Sequence, residues 1–254
     1  MPKTHNLNLA SQGTALKALF SGYLLVVAIG YLMAVVQIQL THGLADGKYG
    51  LSIDDIVYSY YGNRTNSLLE NKLSGSMKPM ASDEERAEIV TWIHQGASED
   101  SFESSGVKQI FDTKCVACHN ADSGLPIPDY TQFQNIKDRA LVDTGASISS
   151  LTRVSHIHLF GIAFIFMFVG LIFSLAAGVP KALKVAVITA PYVFLIMDIA
   201  SWWLTKLNPN FAWLVIIAGS LMAISFAFMW VVSMYEMWIL PRRGEDNRDA
   251  LLDE

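Results

Sequence analysis

The only two cysteines of this 254-residue chain stand three apart, in Cys115-Val116-Ala117-Cys118-His119. A Cys-x-x-Cys-His run is the pattern of covalent haem attachment: two thiols add across the porphyrin vinyl groups as thioethers, and the adjacent imidazole coordinates the iron. A dithiol redox pair shares the cysteine spacing but belongs in a strand–helix setting and has no need of the following histidine. A zinc site draws on two further Cys or His at matching spacing. The run therefore predicts one covalent haem c held by Cys115, Cys118 and His119, with a redox or metal pair as the alternative.

Something must carry that run into place. Val107, Ile110 and Phe111 recur at i, i+3 and i+4, which predicts a short helix leading straight into it. The whole stretch from Gly106 to His119 resembles the first helix and haem-binding turn of a class I c-type cytochrome. Here the chain departs from that family, because no Met follows His119 until Met167, inside an apolar block. Upstream, Met77-Lys78-Pro79-Met80 precedes a predicted helix with Ile89, Val90, Trp92 and Ile93. Its start is a Ser82–Glu85 capping box and its stop is Gly96. This segment is similar to the other half of a cytochrome c, so the two halves stand in permuted order. The termini of a domain often lie close together, which makes such an order physically reasonable. The resemblance implies Met77 as the sixth iron ligand, with Met80 second. A His from His42, His94 or His156, or an open sixth position, remains the other possibility, as does plain packing of both methionines.

The rest of the chain is apolar in blocks. Hydrophobic residues make up 52% and charged residues 16%, where a soluble domain carries about 25% charge. Mean hydropathy is +0.34. Four charge-poor stretches are each long enough to cross a hydrocarbon core as a helix. The expected organisation is all-α. Residues 1–18 form a cytoplasmic start, 19–40 a first span and 41–154 a small helical cytochrome c-like domain in the periplasm. Further spans follow at 155–178, 185–205 and 211–240, and 241–254 form a cytoplasmic tail. The first span has no small-x-small cleavage site and is expected to be a retained anchor.

Lys3, Lys17, Lys181, Lys184, Arg242, Arg243 and Arg248 flank the spans on one side, against Arg153 and Lys206 on the other. The positive-inside rule then places both termini in the cytoplasm of a bacterial inner membrane, with the Cys115 region outside it. Residues 41–155 hold 10 basic and 16 acidic side chains, a net −6. With a whole-chain charge of −5 and no basic stripe, nucleic-acid binding by phosphate neutralisation is excluded. An acidic face serves solubility or steers a basic redox partner.

Within the spans, Asp198 is the one acid well inside the apolar stretches, with Ser201 and Trp202 at i+3 and i+4. Such a carboxylate is costly in lipid and is commonly functional. His156 and His158 fall near the same outer level, but residues two apart on a helix point about 200° apart. Asp198 is expected within reach of His158, and the open readings are a quinone site, a redox-partner or subunit contact, a second haem of b type or a metal site, ordinary interfacial histidines, and a carboxylic acid bonded inside the bundle. Glu236, beside Arg242 and Arg243, is expected at the inner interface with its charge snorkelling out. No phosphate-binding loop, nucleophile elbow or paired catalytic carboxylates occur.

The expected function is single-electron transfer in a respiratory chain by a membrane-anchored c-type cytochrome. The alternatives are a haem subunit of a larger quinol-oxidising or terminal oxidoreductase, and a haem-based redox or gas sensor. Implied partners are redox proteins, further membrane subunits or quinol, and the lipid bilayer.

Overall fold

A computed structural model describes residues 7–43, 45, 46 and 49–243. Among these residues every named element is helical, and the only β pairing is an isolated bridge between Ser67 and Val142. Lys3 and Arg248, which entered the orientation argument, lie outside the described residues. Chain contacts form two compact units: one contains the residues through Gln37, Ile148–Thr205 and Asn210 onward; the other contains Ile38–Ser147 and Lys206–Pro209.

The first unit holds four helices long and apolar enough to cross a membrane. They are α1 (Thr14–His42), α8 (Ile148–Ser174), α9 (Lys181–Leu207) and α10 (Ala212–Trp238), numbered in chain order with six short helices between α1 and α8. The protein is a multi-pass membrane protein. The helices run past the charge-free stretches at several ends. The second span was expected to begin at residue 155, yet α8 already starts at Ile148, because Leu151 and Ser155 bury their side chains and hold the extra turns in place. Hydropathy marks where lipid begins, not where hydrogen bonding begins.

Inward faces carry the packing. On α1 only Lys17, Ser21 and Leu24 are buried, a single stripe at i, i+4 and i+7. Indole N–H groups fasten that helix: Trp238 Nε1 donates to Ser21 Oγ at 2.8 Å and Trp230 Nε1 to the Leu24 carbonyl at 3.1 Å. Tyr31 stacks on Phe226 with ring centroids 5.4 Å apart. Glu236 departs from the snorkelling expectation. It is buried, and its two carboxylate oxygens accept the backbone N–H groups of Ala177 at 2.8 Å and Gly178 at 2.7 Å. Those amides lie in the loop after α8, where no helical carbonyl reaches them, so the carboxylate is used as a backbone cap.

The second unit packs α2 (Ile53–Tyr60), α3 (Leu68–Ser74), α4 (Asp83–His94), α5 (Glu99–Ser104), α6 (Gly106–Ile110) and α7 (Phe133–Ala140). Three of them begin with complete capping boxes, Ser52–Asp55, Ser67–Glu70 and Ser82–Glu85. The core is continuous from Leu69 and Leu73 of α3 through Ile89, Trp92 and Ile93 of α4 to Val107, Ile110 and Phe111, with Ile136 of α7. Each fully buried side chain of this size contributes about 1.5–3 kcal/mol. That burial compensates for helices too short to be stable alone. Trp92, Phe102, Phe111, Tyr130 and Phe133 form a run of ring contacts with centroids 5.3–6.3 Å apart.

Candidate functional site

The expected helix before Cys115 is present and changes pitch as it reaches it. α6 ends at Ile110, and Phe111–Cys115 form one π-helical turn closed by Val116 N–H donating to the Phe111 carbonyl at 3.0 Å. The wider turn keeps Val107, Ile110 and Phe111 in the core while it lifts Lys114 and Cys118 to the surface. Single π turns of this kind cluster at functional sites. A tight turn follows, in which the N–H groups of Cys118 and His119 both donate to the Cys115 carbonyl, at 3.1 and 2.9 Å. Both thiols and the imidazole thus come from one compact loop, and neither cysteine is in a disulfide.

His119 is held by a strap that its own segment does not contain. Its Nδ1–H donates to the Pro128 carbonyl at 2.9 Å, its carbonyl accepts the Tyr130 N–H at 2.8 Å, and the Tyr130 ring stacks on the imidazole at 4.4 Å. A donating Nδ1 leaves Nε2 as the lone-pair nitrogen, the tautomer that a metal-ligating histidine needs. Asn135 Nδ2 donates to the Asp129 carbonyl at 2.8 Å and so ties the strap to α7. From the sequence, Asp122 to Thr152 are expected to cover the other face of the cofactor, with neither Pro128 nor Tyr130 singled out. The Pro126-Ile127-Pro128 run, which begins seven residues after His119, is the signal available.

The cysteine chemistry argues against a dithiol pair. Burial, with Glu85 adding repulsion, pushes the Cys115 thiol up to about 11. A thiol kept protonated is a poor exchange nucleophile, whereas catalytic cysteines of redox pairs are held low. Nor do additional ligands gather for zinc: among the described residues no group of three or more His, Cys, Asp and Glu could hold a metal ion. The donor set fits haem c, with two unpaired thiols beside an imidazole whose Nε2 is available.

The two methionines are separated by their surroundings. Met77 is half-buried and packs against the same core cluster as Cys115, whereas Met80 is 56% exposed. Met77 sits just after α3, with its N–H donating to the Lys72 carbonyl at 2.8 Å. Its segment is flanked by a cross-link, His94 Nε2 to Glu70 Oε1 at 2.7 Å, which joins the end of α4 to α3. His94 is thereby engaged with a carboxylate. His42 Nδ1 is engaged with Ser59 Oγ at 2.7 Å.

In the bundle, Asp198, Ser201, Trp202 and Thr205 are all buried on one face of α9. Trp202 Nε1 donates to Asp198 Oδ1 at 3.3 Å, and its ring meets the His158 ring edge-on at 5.2 Å. Trp203 Nε1 donates to Ser155 Oγ at 3.1 Å. His156 stays exposed against Phe160, so the helix does divide the two histidines as the geometry requires. The expected nearness of Asp198 and His158 is realised through the Trp202 ring, a bridge that only the packing of α8 on α9 creates.

These features define a membrane protein with four long apolar helices and one compact cysteine–histidine loop. Residues 138–245 match the family Aq_1264_TM, described as a transmembrane helical domain. The match spans α8, α9 and α10 and leaves Cys115–His119 outside it. No curated protein and no solved structure matches the chain.

Proposed function

We propose that this protein is a membrane-anchored monohaem c-type cytochrome that passes single electrons in a bacterial respiratory chain. Cys115 and Cys118 would hold the porphyrin as thioethers, and His119 and Met77 would ligate its iron. The observation that carries the reading is the Nδ1–H bond from His119 to the Pro128 carbonyl at 2.9 Å, which orients the imidazole and leaves Nε2 as the lone-pair nitrogen. When bound, the haem supplies a one-electron couple, and a thioether ligand raises its potential relative to a second imidazole.

What the chain itself does is bind, orient and exclude water. The aromatic run from Trp92 to Phe133 keeps the side of the loop nearest Phe111 dry. The π turn presents the motif, and the exposed Cys118 edge leaves a route for a partner to approach. Lys and Arg asymmetry supports a periplasmic position for this unit, with both termini in the cytoplasm. Its net −6 supports docking of a basic redox protein.

An alkaline pyridine haemochrome spectrum of the full chain, matured in a host with haem-attachment machinery, tests the reading. A single haem c per chain is expected, with its loss in Cys115→Ala and Cys118→Ala; a colourless protein overturns the proposal. A second reading, a haem subunit of a quinol-oxidising complex, is favoured by the buried Asp198–Trp202–His158 cluster, which a simple tether has no use for.

A further inference from the structure

We infer that the end of the bundle where α8 begins and α9 finishes binds the headgroup of a lipid-soluble hydroquinone and accepts its two hydroxyl protons; this rests on the quinol-oxidising reading above. Four residues of α9 carry the first observation. Asp198, Ser201, Trp202 and Thr205 stand at i, i+3, i+4 and i+7, and all are buried at 8%, 0%, 6% and 0% exposure. A polar stripe on one buried face is costly in a membrane bundle unless it is used. Ser201 Oγ answers its own need by donating to the Asp198 carbonyl at 2.6 Å. Thr205 Oγ1 is buried with no hydrogen-bond partner. An orphaned hydroxyl of that kind marks a place for a water or a ligand group.

His158 supplies the second observation. Its Nδ1–H donates to the Val154 carbonyl at 2.9 Å, one turn back on α8. That bond sets the tautomer, so Nε2 carries a lone pair and is a proton acceptor. Asp198 is the other acceptor, with Oδ1 engaged by the Trp202 indole. The Trp202 ring lies between the two bases and offers an aromatic wall to a flat ring. Ile157, adjacent to His158 on α8, is 58% exposed and gives apolar surface next to it on the lipid side.

The substrate class follows from what two bases can do. A protein redox partner delivers electrons without protons and needs no acceptor inside the bundle. A hydroquinone gives two electrons and two protons as its O–H bonds break and the quinone C=O bonds form. The protons go to His158 Nε2 and to the Asp198 carboxylate. The oxidant, named by class, would be ferric haem c, which takes one electron at a time and passes each to a one-electron redox protein before the next. The unpartnered Thr205 hydroxyl, one helical turn from Ser201, is the group available to take a proton onward toward the end of α9.

The test uses the full haem-loaded chain in lipid nanodiscs. With the haem first reduced and oxygen excluded, short-chain ubiquinol and menaquinol analogues, whose O–H groups can donate to His158 Nε2, are titrated against tryptophan emission. Saturable quenching is expected, with affinity falling about tenfold in His158→Gln through loss of a buried hydrogen bond. Reduction of the haem by the corresponding hydroquinones should slow about a hundredfold in Asp198→Asn, the scale of a lost proton acceptor. Hexaammineruthenium(II), which donates an electron without a proton, should reduce wild type and variants equally fast. Absence of saturable quenching in the wild type overturns the inference. So does equal slowing of both reductants, which marks a structural role for Asp198. A chain without haem c defeats the electron-transfer reading instead, and the quenching titration still decides whether the hydroquinone binds.

Discussion

His119 illustrates how much one hydrogen bond can decide. The same imidazole with Nε2–H turned outward would be a surface group; with Nδ1–H on the Pro128 carbonyl it has the tautomer and fixed orientation that the proposed ligand role needs. Met77 and Met80 differ in the same local way, one against the core and the other in solvent. Met77→Ala should therefore abolish the red absorption band of thioether-ligated ferric haem and lower the midpoint potential, while Met80→Ala leaves both unchanged. A redox titration with optical detection checks this, and the reverse pattern would exchange the two assignments.

Glu70 offers a pH prediction at the same scale. Burial by itself would raise its carboxyl, but the Ser67 amide and hydroxyl together with His94 outweigh burial and hold it below the usual carboxylate range. A depressed carboxyl contributes stability that is fully present above its unfolded value, about 4.3, and is lost as pH falls through the lower folded value. In denaturant unfolding followed by circular dichroism, Glu70→Gln should accordingly be less stable than wild type near neutral pH, with the difference narrowing in acid. A constant difference across the pH range would show that the carboxylate charge is not what matters.

At the scale of elements, the second unit is a case of short helices rescued by their ends and by their contacts. Ser82 starts α4 with a complete capping box, its Oγ accepting the Glu85 N–H at 3.2 Å and Glu85 Oε2 accepting the Ser82 N–H at 2.7 Å. Ser82→Ala should cost about 1 kcal/mol in denaturant unfolding. Ile89, fully buried on the same helix, should cost about 3 kcal/mol as Ile89→Ala. α4 crosses α6 closely at Gly106, where a Cβ would lie 2.5 Å from Glu88 Oε1. The carboxylate is the far end of a flexible side chain and can swing aside, so Gly106→Ala should be mild while Gly106→Val, with a branched Cβ, is more disruptive. Thermal unfolding of the pair ranks them.

For the whole molecule, the division into a bundle and a helical unit makes orientation the decisive question. Protease added outside spheroplasts should degrade the unit containing Cys115 and leave the segments around Lys181 intact; cleavage at the Lys181 loop instead would invert the proposed topology. The bundle's four apolar helices and the helical character of the remainder were legible in the amino-acid sequence, as were the Ser82 capping box and the approach of Val107, Ile110 and Phe111 to Cys115. Charge-free length and i, i+3, i+4 recurrence are local properties, and a linear chain displays them directly. The spacing of Cys115, Cys118 and His119 is equally local.

Tertiary structure decided the rest, because it concerns neighbours far apart in the chain. Glu236 reaches a loop 58 residues earlier, so no local pattern could turn it from the interface to the interior. The ring of Trp202 meets His158 only because α9 packs back against α8. Met77 and Cys115 come to one core from either side of α4, and the choice between Met77 and Met80 rests on that burial. Periodicity assigns a residue to a face of its own helix; which other face it meets depends on how the helices fill space together.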